Sequence, residues 1–220
     1  MKFFLDTANL DELKKGVALG IVDGVTTNPS LIAKEGNPIH DQIRQICDLV
    51  SGPVSAEVVS TKADDMIREG RDLARIHDNV VVKVPLIRDG IRACSVLSKE
   101  GIRVNVTLCF SSAQAMLAAK AGAYFVSPFV GRIDDIGWDG SELIQDIVHI
   151  YDNYGFSTQV LAASLRSSVH VVQAARAGAH CGTLPFKVLD QMFNHPLTDK
   201  GLDQFLKDYA KAFQEVPASR

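Results

Sequence analysis

One lysine, Lys83, interrupts an otherwise apolar run, Val80-Val81-Val82-Lys83-Val84-Pro85. Such a run is typical of a strand that is buried on both faces. Burial disfavours the charged form of an amine, and a neutral amine can attack a carbonyl carbon to form a Schiff base. Lys83 is therefore our candidate nucleophile. The alternative is a lysine at a strand end whose ammonium group reaches solvent, and spacing alone leaves both interpretations open.

Two acids and one hydroxyl could serve a Schiff-base lysine. Asp6 ends the apolar run Phe3-Phe4-Leu5, Glu57 lies within Ser-Ala-Glu-Val-Val, and Thr107 lies within Asn-Val-Thr-Leu. Aldol chemistry needs a group that removes the substrate hydroxyl proton and a relay that moves protons while the carbinolamine forms and dehydrates. Asp6 could instead cap the helix that follows it. A cap explains Glu57 less well, and the set as a whole favours chemistry at Lys83.

Two arginines are candidates for a phosphate clamp. Arg132 follows Gly131, and Arg166 lies in Ala-Ser-Leu-Arg-Ser-Ser at the start of a predicted helix. Guanidinium groups and the amides of a helix N-terminus both suit phosphate oxygens. The alternative for Arg132 is a surface ion pair with Asp134 or Asp135. No nucleotide-binding motif competes with the phosphate interpretation.

The elements that would position these residues alternate along the whole chain. Strands are predicted at Lys2–Asp6, Gly24–Thr27, Val54–Val59, Val80–Val84, Arg103–Leu108, Ala123–Ser127, Ser157–Ala162 and Ala179–Gly182. Helical spacing of apolar residues is found at Asp11–Leu19, Ala63–Ile76, Ser112–Ala121, Glu142–Tyr151 and Ser167–Ala177. Eight strands that alternate with helices predict an α/β fold, a (β/α)8 TIM barrel, as one domain over residues 1–220. An open doubly wound sheet is the alternative, weakened by the lack of a GxGxxG turn.

Polar residues stand at nearly every predicted strand end. In a parallel barrel these ends meet at one mouth, where functional side chains concentrate. The candidate site residues are Asp6, Thr26, Asn28, Glu57, Lys83, Asn105, Thr107, Ser127, Ser164 and Arg166.

Two further helices are predicted after the eighth strand, Phe186–Phe193 and Leu202–Phe213. The second carries an apolar stripe, which comprises Leu202, Phe205, Leu206, Tyr209 and Phe213. The stripe could pack on the chain's own barrel or dock on a neighbouring subunit.

Composition excludes several other classes of protein. The formal net charge of −3 over 220 residues argues against a nucleic-acid or membrane surface as the main partner. The four cysteines form no CxxC pair and the six histidines no ligand spacing, so we expect neither a disulfide framework nor a metal site. We find no signal peptide and no membrane span, and expect a cytoplasmic protein.

Six stretches together resemble the transaldolases, in the small subfamily shared with fructose-6-phosphate aldolase. The two that are most specific when taken together are Gly24–Leu31, which contains Thr-Thr-Asn-Pro-Ser, and Val82–Pro85, which contains Lys-Val-Pro. The other four are Phe3–Ala8, Asn105–Leu108, Ser127–Arg132 and Ala163–Arg166.

The resemblance implies a role for each matching residue. Lys83 matches the Schiff-base lysine, Asp6 the general acid/base, and Glu57 with Thr107 the groups that hold a catalytic water. Residues matching Asn28, Asn105 and Ser127 hold the dihydroxyacetone portion of the substrate. Those matching Arg132, Ser164 and Arg166 bind its phosphate.

The implied reaction moves dihydroxyacetone from sedoheptulose 7-phosphate to glyceraldehyde 3-phosphate in the pentose phosphate pathway. It yields erythrose 4-phosphate and fructose 6-phosphate and uses neither a metal nor an organic cofactor. Small members assemble as rings of five, often paired into decamers, with the C-terminal helix on a neighbour. The resemblance therefore favours residues 186–213 as subunit contacts of a homo-oligomer.

Two positions distinguish the activities of the subfamily. Transaldolases resemble this chain in having Glu57 and Phe129, whereas fructose-6-phosphate aldolases carry Gln and Tyr at these positions. A tyrosine hydroxyl favours protonation of the enamine and release, but a phenyl ring offers no proton. The sequence therefore favours transfer. Fructose-6-phosphate aldolase and a catalytically silent phosphosugar-binding barrel are the alternatives.

Overall fold

The computed structural model describes the backbone of residues 1–214 and the side chains of residues 1–212. Residues 215–220 of the predicted domain, and the side chain of Phe213, lie outside the described part. The predicted (β/α)8 barrel is confirmed: eight parallel strands pair in sequence order, and the last pairs with the first. The strands are β1 (Lys2–Asp6), β2 (Gly24–Thr26), β3 (Val54–Glu57), β4 (Val80–Pro85), β5 (Val104–Cys109), β6 (Phe125–Pro128), β7 (Gln159–Ala162) and β8 (Cys181–Leu184).

Helices cover the outside of the barrel and include four between the strands that the sequence pattern did not single out, at Pro29–Glu35, Ile39–Leu49, Arg88–Lys99 and Val130–Asp134. The helices between the strands are α1 (Leu10–Ala18), α2 (Pro29–Glu35), α3 (Ile39–Leu49), α4 (Ala63–Ala74), α5 (Arg88–Lys99), α6 (Ser112–Lys120), α7 (Val130–Asp134), α8 (Gly140–Tyr154) and α9 (Ser168–Arg176). After β8 come α10 (Phe186–Gln191) and α11 (Pro196–Gln214). Within the described residues, no helix has the length and apolar character to cross a membrane.

The inside of the barrel is divided into an apolar floor and a polar layer above it. The floor is one buried cluster that consists of Phe4, Val81, Phe125, Leu161 and Cys181. Side chains of a strand alternate between its two faces, so the residue two positions later points inward again, one layer nearer the mouth. Those residues are Ala163 and four polar ones, Asp6, Lys83, Ser127 and Thr183. The strand period itself therefore places a polar set at the carboxyl end of the barrel.

Several predicted strand boundaries are wrong by two residues, including the starts of β6 and β7 and the end of β8, and two further differences have identifiable reasons. β3 ends at Glu57 rather than Val59, because the Val59 and Ser60 amides donate to the Glu69 carboxylate. β8 begins at Cys181 rather than Ala179, because the Ala179 amide still bonds to the last turn of α9. The preceding Gly178 adopts φ 86°, the left-handed turn that ends the helix.

The C-terminal helix α11 begins at Pro196, six residues before the predicted start. Proline suits the first helical position, where the amide hydrogen it lacks has no partner to bond. Its apolar stripe is not covered by the barrel of the same chain: Phe205 is 73% exposed, and Leu202 and Leu206 are exposed as well. The interpretation in which the stripe packs on its own barrel is therefore wrong for these described side chains.

Candidate active site

A cavity of about 200 Å³ opens at the carboxyl end of the strands, above the apolar floor. Its wall contains nine of the twelve predicted site residues, Asp6, Thr26, Asn28, Lys83, Thr107, Ser127, Phe129, Arg132 and Ser164. The other three lie just outside this wall. Glu57 contacts Lys83, Asn105 lies behind Ser127, and Arg166 lies over the neighbouring Gly131.

Lys83 is held inside the barrel by two groups. Only 6% of the residue is exposed, its Nζ lies 3.0 Å from Oε2 of Glu57, and it donates to the carbonyl oxygen of Thr27 at 2.9 Å. Glu57 and Lys83 are register partners on β3 and β4, so their side chains leave adjacent strands at the same height. The solvent-reaching alternative for Lys83 is therefore wrong. Its amine lies at the cavity wall, with a carboxylate beside it that can accept a proton.

Asp6 is half-buried, and its Oδ1 accepts a hydrogen bond of 2.8 Å from the Thr26 hydroxyl. Burial raises the pKa of this carboxyl, although the Thr26 bond and the charge of Lys83 oppose the rise. The cap of α1 is Asn9, whose side chain accepts from two backbone amides. Asp6 is therefore no helix cap, and its location suits a group that takes up and returns a proton at the cavity.

Thr107, Asn105 and Ser127 form the adjoining wall. The Asn105 amide donates to the Ser55 hydroxyl at 3.1 Å and accepts from the Ser127 hydroxyl at 2.8 Å, which fixes the Ser127 side chain. The buried Thr107 hydroxyl has no hydrogen-bond partner among the described residues and faces the cavity. A buried hydroxyl without a partner is unfavourable, so this group is free to bond a ligand or a water.

Asn28, Phe129 and Ser164 complete the wall. Asn28 also caps α2, with its Oδ1 accepting from the Leu31 amide at 2.9 Å. The half-buried ring of Phe129 packs edge-on against Phe110, with ring centroids 5.6 Å apart. Ser164 adopts φ 59°, a left-handed conformation that costs a non-glycine residue about 1 kcal/mol or more. Such strain is common at ligand sites.

The two arginines have different surroundings. Arg132 is exposed and lines the cavity. Arg166 binds Asp135 through both terminal nitrogens, at 2.6 and 2.7 Å. The surface ion pair considered for Arg132 is thus made by Arg166 instead, and the two arginines lie at one edge of the cavity.

Sequence reasoning missed one polar residue of the site, Thr183. Its hydroxyl lies 2.7 Å from that of Thr26, so a chain of hydroxyls leads to Asp6. The predicted eighth strand ended at Gly182, which placed Thr183 outside the barrel. The signal that could have found it is the two-residue step from the apolar Cys181, since the same step links Phe4 to Asp6.

This fold and this cavity define a (β/α)8-barrel enzyme with an inward-facing lysine. The sequence profile described as Transaldolase/Fructose-6-phosphate aldolase matches residues 3–216. A probable transaldolase of Caldicellulosiruptor saccharolyticus is 59% identical over 96% of this chain and 98% of its own length. Probable transaldolases of Myxococcus xanthus and Desulfatibacillum aliphaticivorans are each 60% identical over 96% of this chain, and over 95% and 99% of their own lengths. The chain belongs to the transaldolase/fructose-6-phosphate aldolase family.

Proposed function

We propose that this chain transfers a dihydroxyacetone unit from sedoheptulose 7-phosphate to glyceraldehyde 3-phosphate, in the pentose phosphate pathway. The products are erythrose 4-phosphate and fructose 6-phosphate. The observation that carries the proposal is the buried Lys83 amine at the cavity wall, within 3.0 Å of the Glu57 carboxylate. A lysine whose proton can pass to an adjacent base is equipped to attack a ketone.

The first half of the reaction forms the Schiff base. Lys83 passes a proton to Glu57, the neutral Nζ adds to the ketone carbon of the donor, and a proton then moves from the nitrogen to the oxygen to give a carbinolamine. Glu57 returns the proton to the departing hydroxyl, which leaves as water while the C=N bond forms. The Thr107 hydroxyl faces the same cavity and holds that water for the reverse step.

The second half breaks and remakes a carbon–carbon bond. Asp6 removes the proton from the donor hydroxyl as the bond breaks, and the electron pair of that bond moves into an enamine on Lys83. The aldehyde product leaves with its phosphate. The acceptor aldehyde then enters, the enamine attacks its carbonyl carbon, and Asp6 returns the proton to the new alkoxide. Water hydrolyses the resulting Schiff base by the reverse of its formation, which releases the product and restores the Lys83 amine. The raised pKa of Asp6 suits this exchange, because a carboxyl that holds a proton readily is needed between the two steps.

Binding groups surround these reacting atoms. We assign Asn28 and Ser127 to the hydroxyls of the dihydroxyacetone unit, with Asn105 orienting Ser127 from behind. Arg132 and Ser164 also line the cavity, Arg166 lies beside them over Gly131, and all three are assigned to the phosphate.

A borohydride trapping experiment tests the proposal. Incubation with fructose 6-phosphate and borohydride should leave a reduced ketose-derived adduct on Lys83, read by peptide mass spectrometry. An intact protein without an adduct would overturn the proposal and favour the non-catalytic phosphosugar-binding barrel. Steady-state assays then separate the enzyme activities: release of dihydroxyacetone faster than transfer to erythrose 4-phosphate would favour the second candidate, fructose-6-phosphate aldolase.

The substitution Phe129→Tyr should shift the balance from transfer to release. The ring lies on the cavity wall, so a hydroxyl added to it can donate a proton to the enamine carbon or hold a water that does. We expect the ratio of released to transferred dihydroxyacetone to rise roughly 3- to 10-fold, the effect of one added hydrogen bond. The matched control is Phe110→Tyr, which alters the ring packed against Phe129 but outside the cavity wall. An unchanged ratio in Phe129→Tyr would count against this explanation of transfer.

We also propose that the chain forms a homo-oligomer, a ring of five or a pair of such rings, through its C-terminal helices. The exposed stripe of α11 supports a subunit contact, because an apolar helix face of this kind is buried in most proteins. Light scattering of the chain before and after Phe205→Glu tests it.

We place the protein in the cytoplasm, since its four buried cysteines are free thiols, as expected in a reducing compartment.

A further inference from the structure

The ion pair between Arg166 and Asp135 differs in its location from every other exposed pair of the described residues, because Arg166 lies over Gly131, next to Arg132 of the cavity wall. Both carboxylate oxygens accept from the guanidinium, and about half of each side chain is exposed. Arg71 and Glu100 also form a bidentate pair of similar exposure, between α4 and the residue that follows α5, although through Nε and one terminal nitrogen of Arg71. The Arg71 pair is therefore a matched reference for what such a pair does away from the cavity.

Asp135 occupies one edge of the Arg166 guanidinium and leaves another edge available. It accepts from the two terminal nitrogens, and the edge formed by Nε–H and the outer N–H of a terminal nitrogen keeps two parallel donors. Nε lies close to Gly131, where an added Cβ would stand 2.8 Å from Nε and 2.5 Å from the Ser164 carbonyl oxygen. Only glycine at position 131 lets the arginine lie this close to α7, beside Arg132.

The backbone that carries Arg166 is tied to the same segment by a second link. The Arg166 amide donates to Nδ1 of His170 at 3.2 Å, and Nε2 of His170 lies 3.1 Å from Oδ2 of Asp134. Asp134 in turn accepts from the Gly140 amide at 2.9 Å. Both the backbone and the guanidinium of Arg166 are thus held by consecutive carboxylates at the end of α7.

We propose that Asp135 is a positioning residue for phosphate recognition: it holds Arg166 in the orientation that receives the substrate phosphate before the substrate arrives. The inference rests on the proposed function, since the phosphate belongs to the sugar substrates assigned above. An arginine fixed in advance loses less conformational freedom on binding, which strengthens the complex without adding a contact.

The charges at this edge give Asp135 a second effect. Two guanidinium groups that converge on one phosphate repel each other until the anion binds. The Asp135 carboxylate offsets that repulsion, and the Arg166 hydrogen bonds, together with the charges of Arg166 and Arg132, lower its pKa. The Asp135 carboxylate therefore stays ionised under the conditions in which the two arginines bind a phosphate.

The substitution Asp135→Asn tests the proposal, with Glu100→Gln as the matched control. For Asp135→Asn we expect the KM for fructose 6-phosphate to rise roughly 3- to 10-fold, the cost of ordering one long side chain on binding. The kcat with fructose 6-phosphate, and both constants with unphosphorylated fructose as donor, should stay within about twofold of the wild type. Glu100→Gln should leave kcat and KM unchanged for both donors.

Three outcomes would overturn the inference. The first is an unchanged KM for fructose 6-phosphate, and the second is a lowered KM, which would make Asp135 a competitor of the phosphate. The third is an equal change with both donors, which would indicate a general structural role. Calorimetry with inorganic phosphate gives a readout that needs no turnover, and Asp135→Asn should weaken that binding by the same factor. A wild-type chain that binds phosphate but transfers nothing would refute the proposed function while leaving the role of Asp135 testable by this titration.

Discussion

Replacing Lys83 with methionine is expected to lower the rate of dihydroxyacetone transfer by roughly 10⁴- to 10⁶-fold, as loss of a covalent nucleophile does in other enzymes. Methionine fills a similar volume but carries no amine, so no Schiff base forms. The Glu57 carboxylate loses its partner, yet it is 16% exposed and can take up a proton or bond water. Coupled steady-state assays and borohydride trapping measure the loss, and circular dichroism checks that the barrel remains folded.

The matched variant Lys83→Arg separates chemistry from structure. Arginine keeps the positive charge beside Glu57, but its guanidinium stays protonated and cannot form a stable imine with the ketone. We expect it to be as inactive as the methionine variant. Residual transfer within about 100-fold of the wild type in either variant would contradict the role of Lys83, because the barrier would then be lowered mainly by other groups.

Replacing Asp6 with asparagine is expected to slow transfer by roughly 10²- to 10⁴-fold, the usual contribution of a general acid/base. Asparagine keeps the hydrogen bond from Thr26, because its amide oxygen can accept in the same position as Oδ1. It cannot exchange a proton, so cleavage of the carbon–carbon bond should slow while the Schiff base still forms. Borohydride trapping on Lys83 together with slow turnover is therefore the diagnostic pair of results.

The same substitution should stabilise the fold at neutral and alkaline pH. Burial raises the pKa of Asp6 in the folded state above its pKa in the unfolded chain, which is near 3.8. At a pH below the unfolded-state pKa, the wild type therefore has its full share of folding stability from this group. That share is lost as the pH rises through the folded-state pKa, whereas asparagine does not titrate. The Tm of Asp6→Asn should thus exceed that of the wild type at pH 8, by about 2–4 °C for each kcal/mol of ionisation cost removed, and the difference should shrink towards pH 4.

The control for both effects is Asp23→Asn. Asp23 lies at the other end of β1, where its carboxylate accepts from the Phe3 amide. It should leave transfer unchanged and should not reproduce the pH-dependent gain in Tm. A transfer rate in Asp6→Asn within tenfold of the wild type would remove Asp6 from the proposed mechanism.

The barrel could be predicted from the sequence because apolar residues are spaced differently along buried parallel strands and along the helices that cover them. Boundaries were less predictable, since they depend on contacts between distant residues. β3 ends before Val59 because the Val59 amide donates to the carboxylate of Glu69, ten residues further along the chain. The start of α11 at Pro196 was missed because an exposed helix carries no apolar repeat in its first turns.

The site was largely predictable because strand ends converge in this fold, but partners across the barrel were not. Nothing in the spacing of the chain places Glu57 rather than Asp6 in contact with Lys83; the register of β3 with β4 decides it. In the same way, Arg166 rather than Arg132 pairs with Asp135, because Gly131 lets the Arg166 side chain pass over it. Such pairings arise only when the elements pack in three dimensions.

The seam between β1 and β8 has a consequence for how activity arises during folding. Thr183 of β8 lies 157 residues after Thr26 of β2 in the sequence, and their hydroxyls meet only once β8 has paired with β1, which lies between them. Contacts between such distant segments form late, after the nearer ones have repaid part of the entropy of closing the chain. Recovery of transfer during refolding therefore reports the closing of the ring rather than the formation of its separate strands and helices.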